Sequence, residues 1–193
     1  MAAVIIGYLL GSIPVSLLVA RRHGVDLRTT ADGNPGAWNA LEQLGPRRAW
    51  PAFAGDGLKG ALAALAGYGL GGWWVAWAAV AAAMLGHAFP LFARLRGGKA
   101  VMTFVGGACV LAPLPALICA GLCVAVTLAT SFAWGARAAV FAFPLVQLAL
   151  DPVEHVQGTG ILMAIIGALF GLAWLSERRS GPATRASGAA PRR

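Results

Sequence analysis

Apolar runs dominate the chain, and short polar or glycine- and proline-bearing breaks divide them. A membrane-crossing helix takes about 20 apolar residues, fewer where it is short or partly interfacial. Seven stretches qualify as spans: roughly 3–20, 54–71, 73–92, 99–113, 115–132, 138–151 and 159–176. The fourth and sixth are short. Gly69, Gly71 and Gly72, then Pro113 and Pro115, then Pro152 and Gly158 mark the turns between them, because glycine and proline interrupt helices for opposite backbone reasons. The pattern predicts an all-α polytopic membrane protein of about seven transmembrane helices.

Charge orients this bundle. Met1 to Ala20 carries no charged side chain, and Arg21 and Arg22 follow it. That order is the reverse of a cleavable signal peptide. It predicts an N-terminus outside and Arg21 inside, since cytoplasmic loops collect Lys and Arg. Seven crossings then make the segments 21–53, 93–98, 133–137 and 177–193 cytoplasmic, and the 15 Lys+Arg fall in or at the edges of those segments. The opposite turn at 151–158 holds Asp151, Glu154 and His155 instead. The expected organisation is one membrane-embedded bundle over 1–176, with a disordered basic cytoplasmic tail over 177–193.

Composition agrees with lipid as the main solvent: 59% of residues are hydrophobic and 11% charged, against about 25% charged in a soluble domain. The formal net charge is +8, but a nucleic-acid binder needs a solvated basic face. These cations sit in short stretches between spans, which favours anionic headgroups and phosphorylated small molecules. Cys109, Cys119 and Cys123 lie within apolar spans without CxxC spacing or a His partner, and are read as apolar fillers with no metal or cofactor role. Runs of Ala and Gly, such as Ala78 to Ala83, suit close packing of membrane helices.

Three polar stretches interrupt this apolar background. Gly86 to Thr103 reads GHAFPLFARLRGGKAVMT. A Gly-Gly-Lys triplet opening a helix exposes backbone N–H groups and adds a full positive charge, which together can hold a phosphate. The competing reading is that Arg94, Arg96 and Lys99 merely flank a helix on its cytoplasmic side. The long loop Gly24 to Asn39 is rich in Gly, Asn and Pro. There Gly33, Gly36, Asn34 and Asn39 could present donors to an anion, and Arg28 could clamp a phosphate; a structured connector without ligand is the alternative. Asp56 and Lys59 stand three apart and can pair on a helix, either as an anchor or with Lys59 as a further cation of the site. His87 at an inner helix end is either a structural hydrogen-bonding group or a proton-transfer group.

In order and spacing, GSIP (Gly11 to Pro14), RTTADGNPGAWN (Arg28 to Asn39), DGLKG (Asp56 to Gly60), GHAFP (Gly86 to Pro90) and RGGKAVMT (Arg96 to Thr103) resemble the bacterial acyl-phosphate:glycerol-3-phosphate acyltransferases. The resemblance covers the first 110 residues or so. It implies a seven-helix enzyme of the bacterial inner membrane, active on the cytoplasmic side without metal or cofactor. The implied reaction transfers a fatty acyl group from acyl phosphate to the sn-1 hydroxyl of glycerol 3-phosphate, giving lysophosphatidic acid. By position it implies catalytic roles for His87 and Lys99, and phosphate binding by Arg28, Gly33, Asn34, Gly36, Asn39, Lys59, Gly97 and Gly98.

The chain departs from the family pattern at several places. The family's GSGN is Ala31-Asp32-Gly33-Asn34 here, GATN is Gly36-Ala37-Trp38-Asn39, and GGKG is Gly97-Gly98-Lys99-Ala100. A serine expected near the turn before the sixth span aligns with Ala133, and the His and Asn expected after the last span are replaced by Leu172 to Arg179. These departures motivate an alternative, a divergent member with lost or altered activity that binds lipid or anions.

Overall fold

The computed structural model describes residues 1–179, and among them every regular element is helical. The helices are α1 (Ala2–Ser12), α2 (Val15–Arg22), α3 (Ala37–Leu44), α4 (Pro46–Ala88), α5 (Val101–Leu111), α6 (Pro113–Ala129), α7 (Phe132–Leu150) and α8 (Val153–Arg179).

The first span is α1 and α2 in series. Pro14 has no N–H to continue the helical ladder, and Val15 N–H turns back to the Ile13 carbonyl at 2.9 Å. The Gly11 carbonyl is thereby left without its helical donor, and the Lys59 ammonium donates to it and to the Ile13 carbonyl, at 3.1 and 2.9 Å. The helix break in one span is thus stitched to a buried cation of the next.

The α4 segment has 43 residues; one straight helix of that length would reach about 65 Å, twice the hydrocarbon thickness. It is two spans joined at Gly71 and Gly72, whose dihedrals leave the helical region, Gly72 at φ 76°. The halves fold back on each other so tightly that a Cβ on Gly67 would strike the Ala76 backbone. The expected turn at Gly71 and Gly72 is found in place.

Glycine contacts also fix the direction of neighbouring spans. A Cβ on Gly7 would meet the Ala79 carbonyl and one on Gly11 the Ala83 carbonyl. The α1 helix therefore runs parallel to the second half of α4. A Cβ on Gly60 would strike Thr103 and Gly107, and one on Gly106 would strike Gly57, so α5 crosses the first half of α4 at a glycine contact. Gly135 of α7 abuts Cys123 and Thr127 of α6, making an antiparallel hairpin, and Gly158 of α8 abuts the Trp77 ring. Small residues allow such approaches in lipid, where packing rather than water exclusion drives association. The alternation gathers the segments 23–36 and 89–100 and the end of α8 at one end of the bundle. The turns at 71–72 and 151–152 lie at the other.

Several boundaries differ from the sequence reading. Pro113 and Pro115 stand in the first turn of α6, where a missing N–H costs nothing. Gly158 is inside α8, and Arg137 lies inside α7, whose preceding turn is Thr130 and Ser131. The segment 37–53 is largely helical, as α3 and the start of α4. The α8 helix continues to Arg179, three residues into the expected tail; the remainder of that tail, 180–193, lies outside the described residues.

Candidate active site

Gly97 to Ala100 does not begin α5. The four residues form a non-helical turn ahead of it, and Ala100 caps the helix with left-handed geometry, φ 58°. Nor do the two glycines leave their N–H groups open. Gly97 N–H donates to the Ala88 carbonyl at 3.0 Å and Gly98 N–H to the His87 carbonyl at 3.2 Å. Glycine is required here for room instead. A Cβ on Gly97 would collide with the backbone of His87 and Ala88, and one on Gly98 with the His87 ring. The same added Cβ on Gly98 would also lie 3.4 Å from the Gly36 Cα. The turn is therefore pressed between the end of α4 and the 28–36 loop, and Lys99 projects from its rim.

The 28–36 loop is bound to the same turn. Arg28 Nη2 donates to the Ala93 carbonyl at 2.7 Å and to the Arg96 carbonyl at 3.3 Å. Asn39 is buried, and its amide nitrogen donates to the carbonyls of Leu27, Thr30 and Asn34 at 2.9, 3.2 and 3.0 Å. The tight turn over Thr30 to Gly33 passes through positive φ at Ala31 (47°) and Gly33 (70°). Arg28 and Asn39 thus hold the loop's shape through backbone carbonyls.

Between the loop and the turn lies a cleft of about 210 Å3, lined by Asp32, Gly33, Asn34, Gly97, Gly98, Lys99, Ala173 and Ser176. Lys99 Nζ stands 2.8 Å from Asp32 Oδ2 and 4.8 Å from the centre of the Phe170 ring. Burial works against ionisation of Asp32, but the Lys99 hydrogen bond, the Asn34 N–H and the Lys99 charge outweigh it and lower its pKa. The Asp32 carboxylate is therefore paired.

Beneath the turn sits a second polar cluster. Asp56, 1% exposed, accepts from Ser16 Oγ at 2.5 Å and faces Lys59 Nζ at 2.9 Å. His87 Nδ1 lies 3.6 Å from the Asp56 carboxylate, and the ring edge at Nε2 faces Gly98. With three protons directed to Asp56, Gly11 and Ile13, the Lys59 ammonium is fully used within the protein.

Of the residues singled out in the sequence, Gly33, Asn34, Gly97, Gly98 and Lys99 share the cleft. Arg28, Gly36 and Asn39 form its supporting layer. Lys59 and His87 line a smaller cavity on the other side of the Gly97–Gly98 turn. Sequence reasoning missed Ser16 and the α8 residues Phe170, Ala173 and Ser176. The expected return of α8 to the loop side was the signal that could have found the last three.

Fold and cleft together define a polytopic helical membrane protein with a polar, lysine-bearing cleft at one end of its bundle. The glycerol-3-phosphate acyltransferase family model matches residues 1–180. The Rhizobium meliloti glycerol-3-phosphate acyltransferase is 34% identical over 179 residues, covering 92% of this chain and 85% of that one. The Thermus thermophilus enzyme is 38% identical over 165 residues, 84% and 82% of the two chains. A 111-residue stretch is 42% identical to the Rubrobacter xylanophilus enzyme, covering 57% of this chain and 56% of that protein. The crystal structure of PlsY (YgiH), an integral membrane glycerol 3-phosphate acyltransferase, in its glycerol 3-phosphate form superposes with a TM-score of 0.76 at 31% identity, covering 92% of this chain and 88% of that one. This chain belongs to the glycerol-3-phosphate acyltransferase family, and it is a membrane acyltransferase.

Proposed function

We propose that this chain transfers a fatty acyl group from acyl phosphate to the sn-1 hydroxyl of glycerol 3-phosphate, releasing lysophosphatidic acid and phosphate. The observation that carries this reading is the shared cleft, where the 32–34 loop and the 97–99 turn meet around the Lys99 ammonium. Acyl phosphate is already a mixed anhydride, so no enzyme nucleophile is needed. The protein aligns hydroxyl with carbonyl and neutralises phosphate charge. The hydroxyl oxygen bonds to the acyl carbon as the bond from that carbon to the bridging phosphate oxygen breaks. In this proposal the proton passes to the departing phosphate, while His87 lines the adjoining cavity beside Gly97 and Gly98.

In this reading Lys99 binds a phosphate, and Gly33, Asn34, Gly97 and Gly98 shape its seat. Arg28, Gly36 and Asn39 hold the loop in place, and Lys59 and His87 support the turn from below. The acyl chain lies in the bilayer. The cleft faces the cytoplasm of a bacterial inner membrane, with the N-terminus outside. This orientation rests on Arg21, Arg22, Arg94 and Arg96 all lying at the cleft end. The 1–176 bundle is the catalytic unit.

Purified protein in detergent, supplied with acyl phosphate and glycerol 3-phosphate, is expected to release phosphate only when both are present. A folded sample without release above background would overturn acyl transfer and leave anion binding alone. A cysteine placed at 154 is expected to react with a membrane-impermeant reagent from outside intact cells, and one placed at 95 is not; the opposite pattern inverts the orientation.

A further inference from the structure

We infer that the Asp32 carboxylate is a built-in occupant of the cleft: a phosphate group binds by displacing it from Lys99, and Asp32 thereby sets the KM for that substrate. This inference rests on the proposed phosphate role of the cleft. Asp32 uses its two oxygens as a bound phosphate would. Oδ2 takes the Lys99 ammonium at 2.8 Å, and Oδ1 takes the backbone N–H of Asn34 at 3.1 Å. An ammonium and an exposed backbone amide are the two kinds of donor that recognise phosphate.

The pair is built to exchange. Asp32 is 39% exposed and Lys99 19%, and a partly solvated ion pair is held weakly. Phe170 keeps the ammonium over its ring at 4.8 Å, so Lys99 stays at the cleft when Asp32 leaves. A carboxylate that remained would repel an incoming phosphate, and its place on an exposed loop gives it room to swing into water. Phosphate from either substrate, glycerol 3-phosphate or acyl phosphate, carries the chemistry required.

The test uses the full chain in detergent with Asp32→Asn and Asp32→Ser. Each substrate is varied with the other held saturating, and inorganic phosphate is titrated separately while the melting temperature is followed. In both variants the KM for one phosphate substrate is expected to fall by about fivefold or more, and the substrate that responds identifies which phosphate competes with Asp32. Inorganic phosphate is expected to raise the melting temperature of the variants more than that of the wild type. Unchanged or raised KM values for both substrates in active variants would overturn the inference while leaving acyl transfer standing. If no protein turns over but phosphate still stabilises the variants more, acyl transfer fails and the inference survives. No turnover together with equal phosphate stabilisation would sink both.

Discussion

Lys59 Nζ and Asp56 Oδ1 lie 2.9 Å apart, with the two side chains 4% and 1% exposed. Isolating either charge in a low-dielectric interior is far costlier than removing both. Lys59→Met is therefore expected to destabilise the protein by about 3–5 kcal/mol, because Asp56 is left buried and unpaired. The double variant Asp56→Asn/Lys59→Met should lose less than the two single losses combined, as coupled sites do. Thermal melting of the four proteins in one detergent completes the cycle. Additive losses would show that the pair is not coupled.

Ala100 offers a gain in stability. Its φ of 58° is a conformation that costs an L-residue about 1–2 kcal/mol and glycine almost nothing. Ala100→Gly should raise the melting temperature by a few degrees, corresponding to about 1 kcal/mol. An unchanged or lowered midpoint would mean that the strain is not there.

Gly97 and Gly98 tolerate no side chain, for different reasons. A methyl at 97 meets backbone of His87 and Ala88, which cannot move aside, whereas a methyl at 98 meets the His87 ring. Gly97→Ala should cost about 1–3 kcal/mol of stability as well as activity. Gly98→Ala should lose less stability, since a ring can shift, while still displacing the turn that carries Lys99. Melting midpoints and KM values for both variants check this ordering.

The Asp32–Lys99 pair predicts a pH dependence. Because the folded pKa of Asp32 is lowered, the stability it contributes is present above the ordinary carboxylate pKa and is lost as pH falls through the lower folded value. The melting difference between wild type and Asp32→Asn should therefore be constant from about pH 5 to pH 8 and vanish in stronger acid. A difference that grows on acidification would have the wrong sign.

Much of this architecture was legible because lipid imposes simple rules. Apolar length gave the spans, and Gly71 with Gly72 marked the one place where a 43-residue helix had to fold back. The convergence of the Asn34 loop with the Lys99 turn followed from topology. What the glycines do was not legible. Gly97 and Gly98 looked like donors to an anion, yet their N–H groups bond to the α4 terminus and their role is steric. Lys59 looked like a possible site cation, but nothing in the local sequence says that the break at Pro14 would turn two carbonyls towards it, some 45 residues away. Phe170 and Ser176 escaped notice because only the packing of α8 brings its last turns to the cleft.

The central claim is that Lys99 holds a substrate's phosphate group, and calorimetric titration with inorganic phosphate tests it without requiring turnover. Inorganic phosphate titrated into detergent-purified wild-type protein should bind to saturation. Lys99→Ala, which removes one charge-assisted hydrogen bond, should weaken binding by about tenfold or more while the melting curve still shows a folded protein. Equal affinity in the two proteins would contradict the account.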